Sequence, residues 1–352
     1  MLKSRILLVS LLFPILISAQ KSPKNVVFII GDGMGLAHIY AGMVANGNHL
    51  QFERFKNIGF SKTYSANNFT TDSGAGGTAI ACGVKTNNGM IGTTPDSVAV
   101  PSILEIADKN LLSTGIVVAC DVTHATPASF ISHQPSRKMN EEIALDFLKT
   151  DIDVIIGGGR KSFQNREDKR NLINELKTNG YNYASNLEEV KKIKSGKLAG
   201  LLYDGHNPPM PERGDMLPES ALAAIDILDN NKKGFFLMIE GSQIDWAAHD
   251  NKADQIVKEV LDLDKTIGKV LDFAEKNKNT LVIVTADHET GGLTLPKGNI
   301  SKKEFSASFS TKDHSGVLVP VFAFGPGAEN FTGFMENTSF KNKLIKLLKL
   351  KN

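Results

Sequence analysis

Six short apolar runs constrain this chain more than any other feature: Asn25 to Ile30, Thr114 to Ala119, Asp153 to Ile156, Phe235 to Ile239, Thr280 to Thr285 and Val319 to Phe324. They are apolar almost without a break. A strand with one wet face alternates apolar with polar residues, whereas a strand covered on both faces need not. The runs therefore predict an α/β chain, a three-layer sandwich with a central, mostly parallel sheet flanked by helices. Such sheets bind ligands beyond the carboxyl ends of their strands. Ala253 to Lys276 is the clearest helix, with Ile256, Val257, Val260, Leu261, Leu263, Ile267, Val270, Leu271 and Ala274 in one apolar stripe. Glu141 to Leu148, Asn171 to Asn179, Ser220 to Leu228 and Ser339 to Leu350 are shorter candidates.

Met1 to Ala19 opens with Lys3 and Arg5, continues through an apolar run from Ile6 to Ile17 and closes on a small residue, the layout of a cleavable secretory signal. The run is shorter than the ~20 residues of a membrane-spanning helix. Export to a periplasm or the medium is the expectation, with residues 20–352 as a single domain. Without Lys3 and Arg5 the chain has 38 basic and 38 acidic residues, so charge supports neither nucleic-acid nor anionic-membrane binding. Cys82 and Cys120 allow one bridge or two buried free thiols. Pro208, Pro209 and Pro211 mark Tyr203 to Met216 as an extended surface connection, and Lys341 to Lys351 reads as the solvated face of a terminal helix.

Chemistry-bearing residues follow the runs. Gly31-Asp32-Gly33-Met34-Gly35 places a carboxylate in a turn whose glycines admit close backbone approach. Ser73, in Thr71-Asp72-Ser73-Gly74-Ala75-Gly76-Gly77, stands at the entry to a helix of small residues, where free N–H groups favour an anion. An ordinary helix cap at Ser73 or Asp72 fits the same local sequence. Glu240 ends a run and is followed by Asp245 and His249, four apart; Asp287-His288 ends another, and His314 precedes the last. Carboxylate with imidazole suits Zn²⁺, and oxygen-rich sets suit Mg²⁺.

Taken in order, Gly31 to Gly35, Thr71-Asp72-Ser73, His124-Ala125-Thr126-Pro127, Ser136-Arg137-Lys138, Glu240 to His249, Thr285-Ala286-Asp287-His288 and His314 resemble the alkaline phosphatase family over almost the whole mature chain. The resemblance implies two Zn²⁺, one held by Asp245, His249 and His314 and one by Asp32, Asp287 and His288. It implies a third ion, usually Mg²⁺, on Asp32, Thr126 and Glu240. Ser73 would be the nucleophile and Arg137 the clamp on phosphate, oriented by Asp72. Phosphate monoesters would be hydrolysed in two in-line displacements through a phosphoserine.

Some relatives carry Asp where His124 stands and Lys where Trp246 stands, so these two residues are expected to modulate the third site and the phosphate pocket. His124 adds a nitrogen donor, which makes Zn²⁺ or Co²⁺ an alternative to Mg²⁺ at the third site. Only 25 residues separate His288 from His314, where many relatives have a large insertion. The short loop, Gly291 to Asp313, implies an open site and broad substrate scope, with a homodimer kept as an option. A sulfatase would need Cys in C-x-P-x-R where Ser73-Gly74-Ala75 stands. A two-zinc phosphodiesterase would not need Arg137, Thr126 and Glu240, and a binding protein would not need Ser73. Gly157 to Ser162 lacks the spacing of a phosphate loop and reads as a strand-to-helix turn. His38, His49, His133 and His206 match no ligand role.

Overall fold

The computed structural model describes residues 22–351; the expected signal segment, 1–19, lies outside them. In chain order the strands are β1 (Asn25–Gly31), β2 (Asn57–Lys62), β3 (Ser113–Asp121), β4 (Val154–Gly158), β5 (Tyr181–Ala184), β6 (Lys197–Leu201) and β7 (Phe235–Gly241). Then follow β8 (Thr280–Thr285), β9 (Glu289–Thr290), β10 (Leu293–Asn299), β11 (Glu304–Phe309), β12 (His314–Ser315), β13 (Val319–Phe324) and β14 (Gly333–Glu336). Ten of them form one sheet in the order β14-β2-β13-β8-β1-β7-β3-β4-β6-β5. Neighbours run parallel except at β13, which is antiparallel to β8 and β2.

The continuous apolar runs have their expected cause. β1, β7 and β8 are buried along their whole length, and successive residues serve opposite layers. Val26, Phe28 and Ile30 face the helices Ser73–Cys82, Ile103–Lys109 and Ser339–Leu348. Val27 and Ile29 face Leu36–Ala45, Met216–Leu228 and Ala253–Asn277. Each such side chain taken from water stabilises the fold by about 1.5–3 kcal/mol. All six runs are strands, and Gly157 to Ser162 is a strand-to-helix turn at the end of β4. Within this sheet the strands that periodicity did not reveal, β2, β5, β6 and β14, are short and broken by Asn, Lys or Gly, and they pair toward its two edges.

Three expectations need correction. Tyr203 to Met216 is not a plain surface connection: Asn207, Arg213 and Met216 are buried. Arg213 Nη2 bonds Glu259 Oε2 at 2.5 Å and Asp262 Oδ2 at 2.7 Å, so two carboxylates on the buried side of the long helix anchor the strap. The short loop after His288 is instead a hairpin, β10 against β11, because Glu304 to Phe309 alternates half-buried with exposed side chains. Lys341 leaves the solvated face of its helix; it is buried and donates to the Pro101 carbonyl at 2.7 Å.

Candidate active site

Four adjacent strands, β8, β1, β7 and β3, deliver the site. Ile30 lies opposite both Glu240 and Thr285, so Asp32, Glu240 and Asp287 emerge near one level at the carboxyl ends of the strands. Antiparallel β13 starts at that same edge, which returns the preceding β12 and His314 to it. At Gly33 the backbone is left-handed, and a Cβ there would meet Asp245 Cα at 2.9 Å. Glycine therefore lets the turn after β1 press against the helix Gln243–His249.

Donors gather in three clusters whose ligand atoms lie within 4.8 Å of one another: Asp245, His249 and His314; Asp32, Asp287 and His288; Cys120, His124 and Glu240. In the first, His249 Nε2 stands 3.1 Å from His314 Nε2 and 3.4 Å from Asp245 Oδ1. The other ring nitrogens donate to backbone carbonyls, His249 Nδ1 to Lys312 at 2.5 Å and His314 Nδ1 to Thr71 at 2.7 Å. That fixes both tautomers with a free Nε2 lone pair turned inward, the usual arrangement behind a metal ligand. In the second, Asp287 Oδ1 accepts the N–H groups of Gly33 and His288 at 3.2 and 3.0 Å. Its other oxygen is left over.

Among the described residues, both Asp32 oxygens, Asp287 Oδ2, Glu240 Oε1, Thr126 Oγ1 and His124 Nδ1 are buried without a hydrogen-bond partner. A buried unpartnered polar atom costs about 1–3 kcal/mol and a charged one more, so their gathering at the second and third clusters marks a place for cations. Burial raises the Asp32 pKa well above the carboxylate range, and the charges of Asp287, Asp245 and Glu240 raise it further. Burial likewise pushes Glu240 up to about 7 and His124 down to about 3.

Ser73 is the first residue of the helix Ser73–Cys82, and Asp72 is its cap. The two readings of Asp72 are both realised, one on each oxygen. Oδ1 accepts the Ala75 N–H at 2.9 Å, while Oδ2 receives Arg137 Nη1 at 2.8 Å and the Gly89 N–H at 3.0 Å. Burial opposes its ionisation, yet Arg137 and these donors outweigh burial and hold the carboxyl below its ordinary range. Ser73 Oγ is thereby free of capping and stands 3.3 Å from His288 Nε2.

All the sequence-nominated residues converge: Ser73, Asp72 and Arg137 border the clusters, and Arg137 Nη2 approaches His124 Nε2 at 3.4 Å. Trp246 packs edge-on against His124 and His206, with ring centroids 5.8 and 4.6 Å away. His206 therefore belongs to the rim of the third cluster although no motif assigned it there. Periodicity also missed Thr290, which donates to Asp245 Oδ1 at 2.5 Å and lies 3.2 Å from His288 Nδ1; nothing in its local sequence distinguishes it. Cys120 was hidden as well, because only the pairing of β3 with β7 sets it beside Glu240. Cys82 and Cys120 are both buried and free. His38 is buried, His49 is exposed, and His133 pairs with Glu105, away from the clusters.

The alkaline phosphatase family model matches residues 23–306. Alkaline phosphatase 4 of Bacillus subtilis is 36% identical, with 94% of this chain and 91% of the relative covered. The solved alkaline phosphatase of the Antarctic bacterium TAB5 superposes with a TM-score of 0.90 at 44% identity, covering 94% of this chain and 100% of the other. A histidine-to-aspartate variant of it, with Mg bound in the M3 site, gives 0.89 at 41% identity over 95% of this chain and 100% of the other.

Proposed function

This chain belongs to the alkaline phosphatase family, an enzyme family of phosphomonoester hydrolysis, and we propose that it works through a covalent phosphoserine on Ser73 assisted by two Zn²⁺ and a third metal ion. The observation that carries the reading is the gathering of the donors that the family pattern requires into adjacent clusters, with orphaned buried atoms on Asp32, Asp287, Thr126 and Glu240. The residues fit the ions: Asp245, His249 and His314 would hold one Zn²⁺, and Asp32, Asp287 and His288 the other. Asp32, Thr126 and Glu240 would hold the third.

Bound there, the zinc ions supply Lewis acidity toward the Ser73 oxygen, the leaving oxygen and an attacking water. The protein's own groups do the rest. Ser73 Oγ forms a bond to phosphorus as the alcohol leaves, and water then displaces Ser73 and releases inorganic phosphate. The guanidinium of Arg137, held by Asp72, matches two non-bridging phosphate oxygens, and the free N–H groups at the start of the Ser73–Cys82 helix favour the same charge. Thr290, Lys312 and Thr71 keep the ligand imidazoles in place.

At the third site, His124 adds nitrogen to an otherwise oxygen set, which favours Zn²⁺ or Co²⁺ over Mg²⁺. We further propose export, on the layout of residues 1–19, and a single catalytic domain over 20–352. Among the described residues no helix is long and apolar enough to cross a membrane.

Wild-type protein should hydrolyse a chromogenic phosphate monoester faster than the corresponding diester, lose that turnover to a chelator and regain it with Zn²⁺. Turnover indifferent to chelation, or a preference for the diester, would overturn the reading. Asp72→Asn keeps a capping oxygen but removes the charge that positions Arg137. Inhibition by inorganic phosphate should weaken about 5- to 30-fold, the equivalent of 1–2 kcal/mol, with unfolding by urea little changed. Asp72→Ala should show the same kinetic loss together with about 1 kcal/mol of lost stability from the cap.

A further inference from the structure

We propose that Cys120 is a direct ligand of the third metal site, adding a thiolate to its oxygen and nitrogen donors so that the site prefers Zn²⁺ or Co²⁺ to Mg²⁺. The inference rests on the reading of the three clusters as metal sites. Strand alternation puts the sulfur there. Glu240 pairs with Val118 across β7 and β3, and Cys120 is two residues beyond Val118, so Cys120 and Glu240 project from the same face of the sheet. Cys120 Sγ lies 3.4 Å from Glu240 Oε2. Bonds of about 2.0–2.3 Å to a tetrahedral ion leave neighbouring donors about 3.5 Å apart, and one ligand atom from each of Cys120, His124 and Glu240 lies within 4.8 Å of the others, so the three groups surround one space.

The bland account makes Cys120 a buried weak donor, bonded to the Asp121 carbonyl at 3.2 Å and to Glu240. It gives the sulfur no part in a space that three further donors line. Glu240 Oε1, Thr126 Oγ1 and His124 Nδ1 are buried and unpartnered around the same space. Glu240 Oε2 is already committed to Ser242 Oγ at 2.7 Å, which turns Oε1 toward that space. Mg²⁺ demands octahedral oxygen and keeps its waters, whereas thiolate and imidazole select softer ions. Coordination releases the Sγ proton to solvent as the sulfur–metal bond forms, one proton per ion bound.

Cobalt reports this directly, because a thiolate bound to Co²⁺ gives a near-ultraviolet charge-transfer band and neither of the other two clusters contains sulfur. Apoprotein titrated with Co²⁺ should bind three ions and develop that band. The band should vanish in Cys120→Ser and Cys120→Ala and persist in Cys82→Ser. Substituting groups behind a ligand already lowers metal affinity about 10–100-fold; loss of this direct ligand should lower third-site Co²⁺ affinity, measured against Mg²⁺, by at least that much. A wild type that binds two ions and no third, a third ion without the band, or a band that survives removal of Cys120 would each overturn the proposal. Monoester turnover of zinc-loaded wild type is read in parallel. Full turnover with no band counts against Cys120 alone, while absent turnover counts against the phosphatase reading.

Discussion

Ser73→Ala is expected to abolish phosphate-monoester turnover by about a thousandfold or more while leaving urea unfolding within about 0.5 kcal/mol of wild type. The two halves of this result answer different questions. If Ser73 were a helix cap, its loss would cost about 1 kcal/mol, but the capping bond to Ala75 comes from Asp72. Alanine at the first helical position is therefore well tolerated by the fold. The kinetic loss follows from the absence of an oxygen to carry the phosphoryl group. Wild type incubated with labelled monoester and quenched in acid should retain phosphate on the protein; Ser73→Ala should retain none. Label on both, or on neither with turnover intact, would remove the phosphoserine from the mechanism.

The 3.3 Å contact between Ser73 Oγ and His288 Nε2 invites a serine–histidine–carboxylate triad instead. In a triad the carboxylate orients the ring nitrogen away from the serine. Here the far nitrogen, His288 Nδ1, faces the Thr290 hydroxyl. The carboxylates of Asp32 and Asp287 each lie 3.4 Å from Nε2, the nitrogen beside the serine. Burial also lowers the His288 pKa far below the usual imidazole value, which disfavours the imidazolium a general base must become. A neutral imidazole and two carboxylates converging on one point beside a hydroxyl is a ligand arrangement, not a proton relay.

The sequence was informative where physics is local or repetitive. Strands covered on both faces had to be continuously apolar, so β1, β3, β4, β7, β8 and β13 were visible, and the rule that ligands bind beyond parallel strand ends directed attention to Asp32, Glu240 and Asp287. Direction and lateral order were not visible. Antiparallel β13 is what returns His314 to the edge shared with His249, and no feature of Val319 to Phe324 distinguishes that direction. Cys120 and Thr290 were hidden for a related reason: their roles come from residues one strand or one turn away, across pairings that the one-dimensional pattern does not contain. Asp72 shows a third case, in which local sequence offered two readings and the structure gives one oxygen to each.

The buried charges of the strap carry the largest stability effect. Arg213, Glu259 and Asp262 have side chains only 1% exposed, so Arg213→Met should strand two carboxylates inside the fold and cost about 3–5 kcal/mol in urea unfolding. The loss should propagate toward the active site. Gln243, at the start of the helix bearing Asp245 and His249, donates to both the Ala119 and Asn207 carbonyls at 2.8 Å, and Asn207 belongs to the strap. Loosening the strap is therefore expected to weaken retention of the metal at Asp245, His249 and His314, seen as faster loss of activity in chelator. The remedy follows from the cause. In Arg213→Met with Glu259→Gln and Asp262→Leu, no charge is stranded, and the glutamine oxygen can still accept the Met210 N–H that Glu259 receives at 2.9 Å. The triple variant should recover most of the lost stability, because removing a whole buried ion cluster costs far less than removing one member. Failure to recover would mean that the strap is held by the geometry of the Arg213 bonds themselves and not by the need to neutralise Glu259 and Asp262.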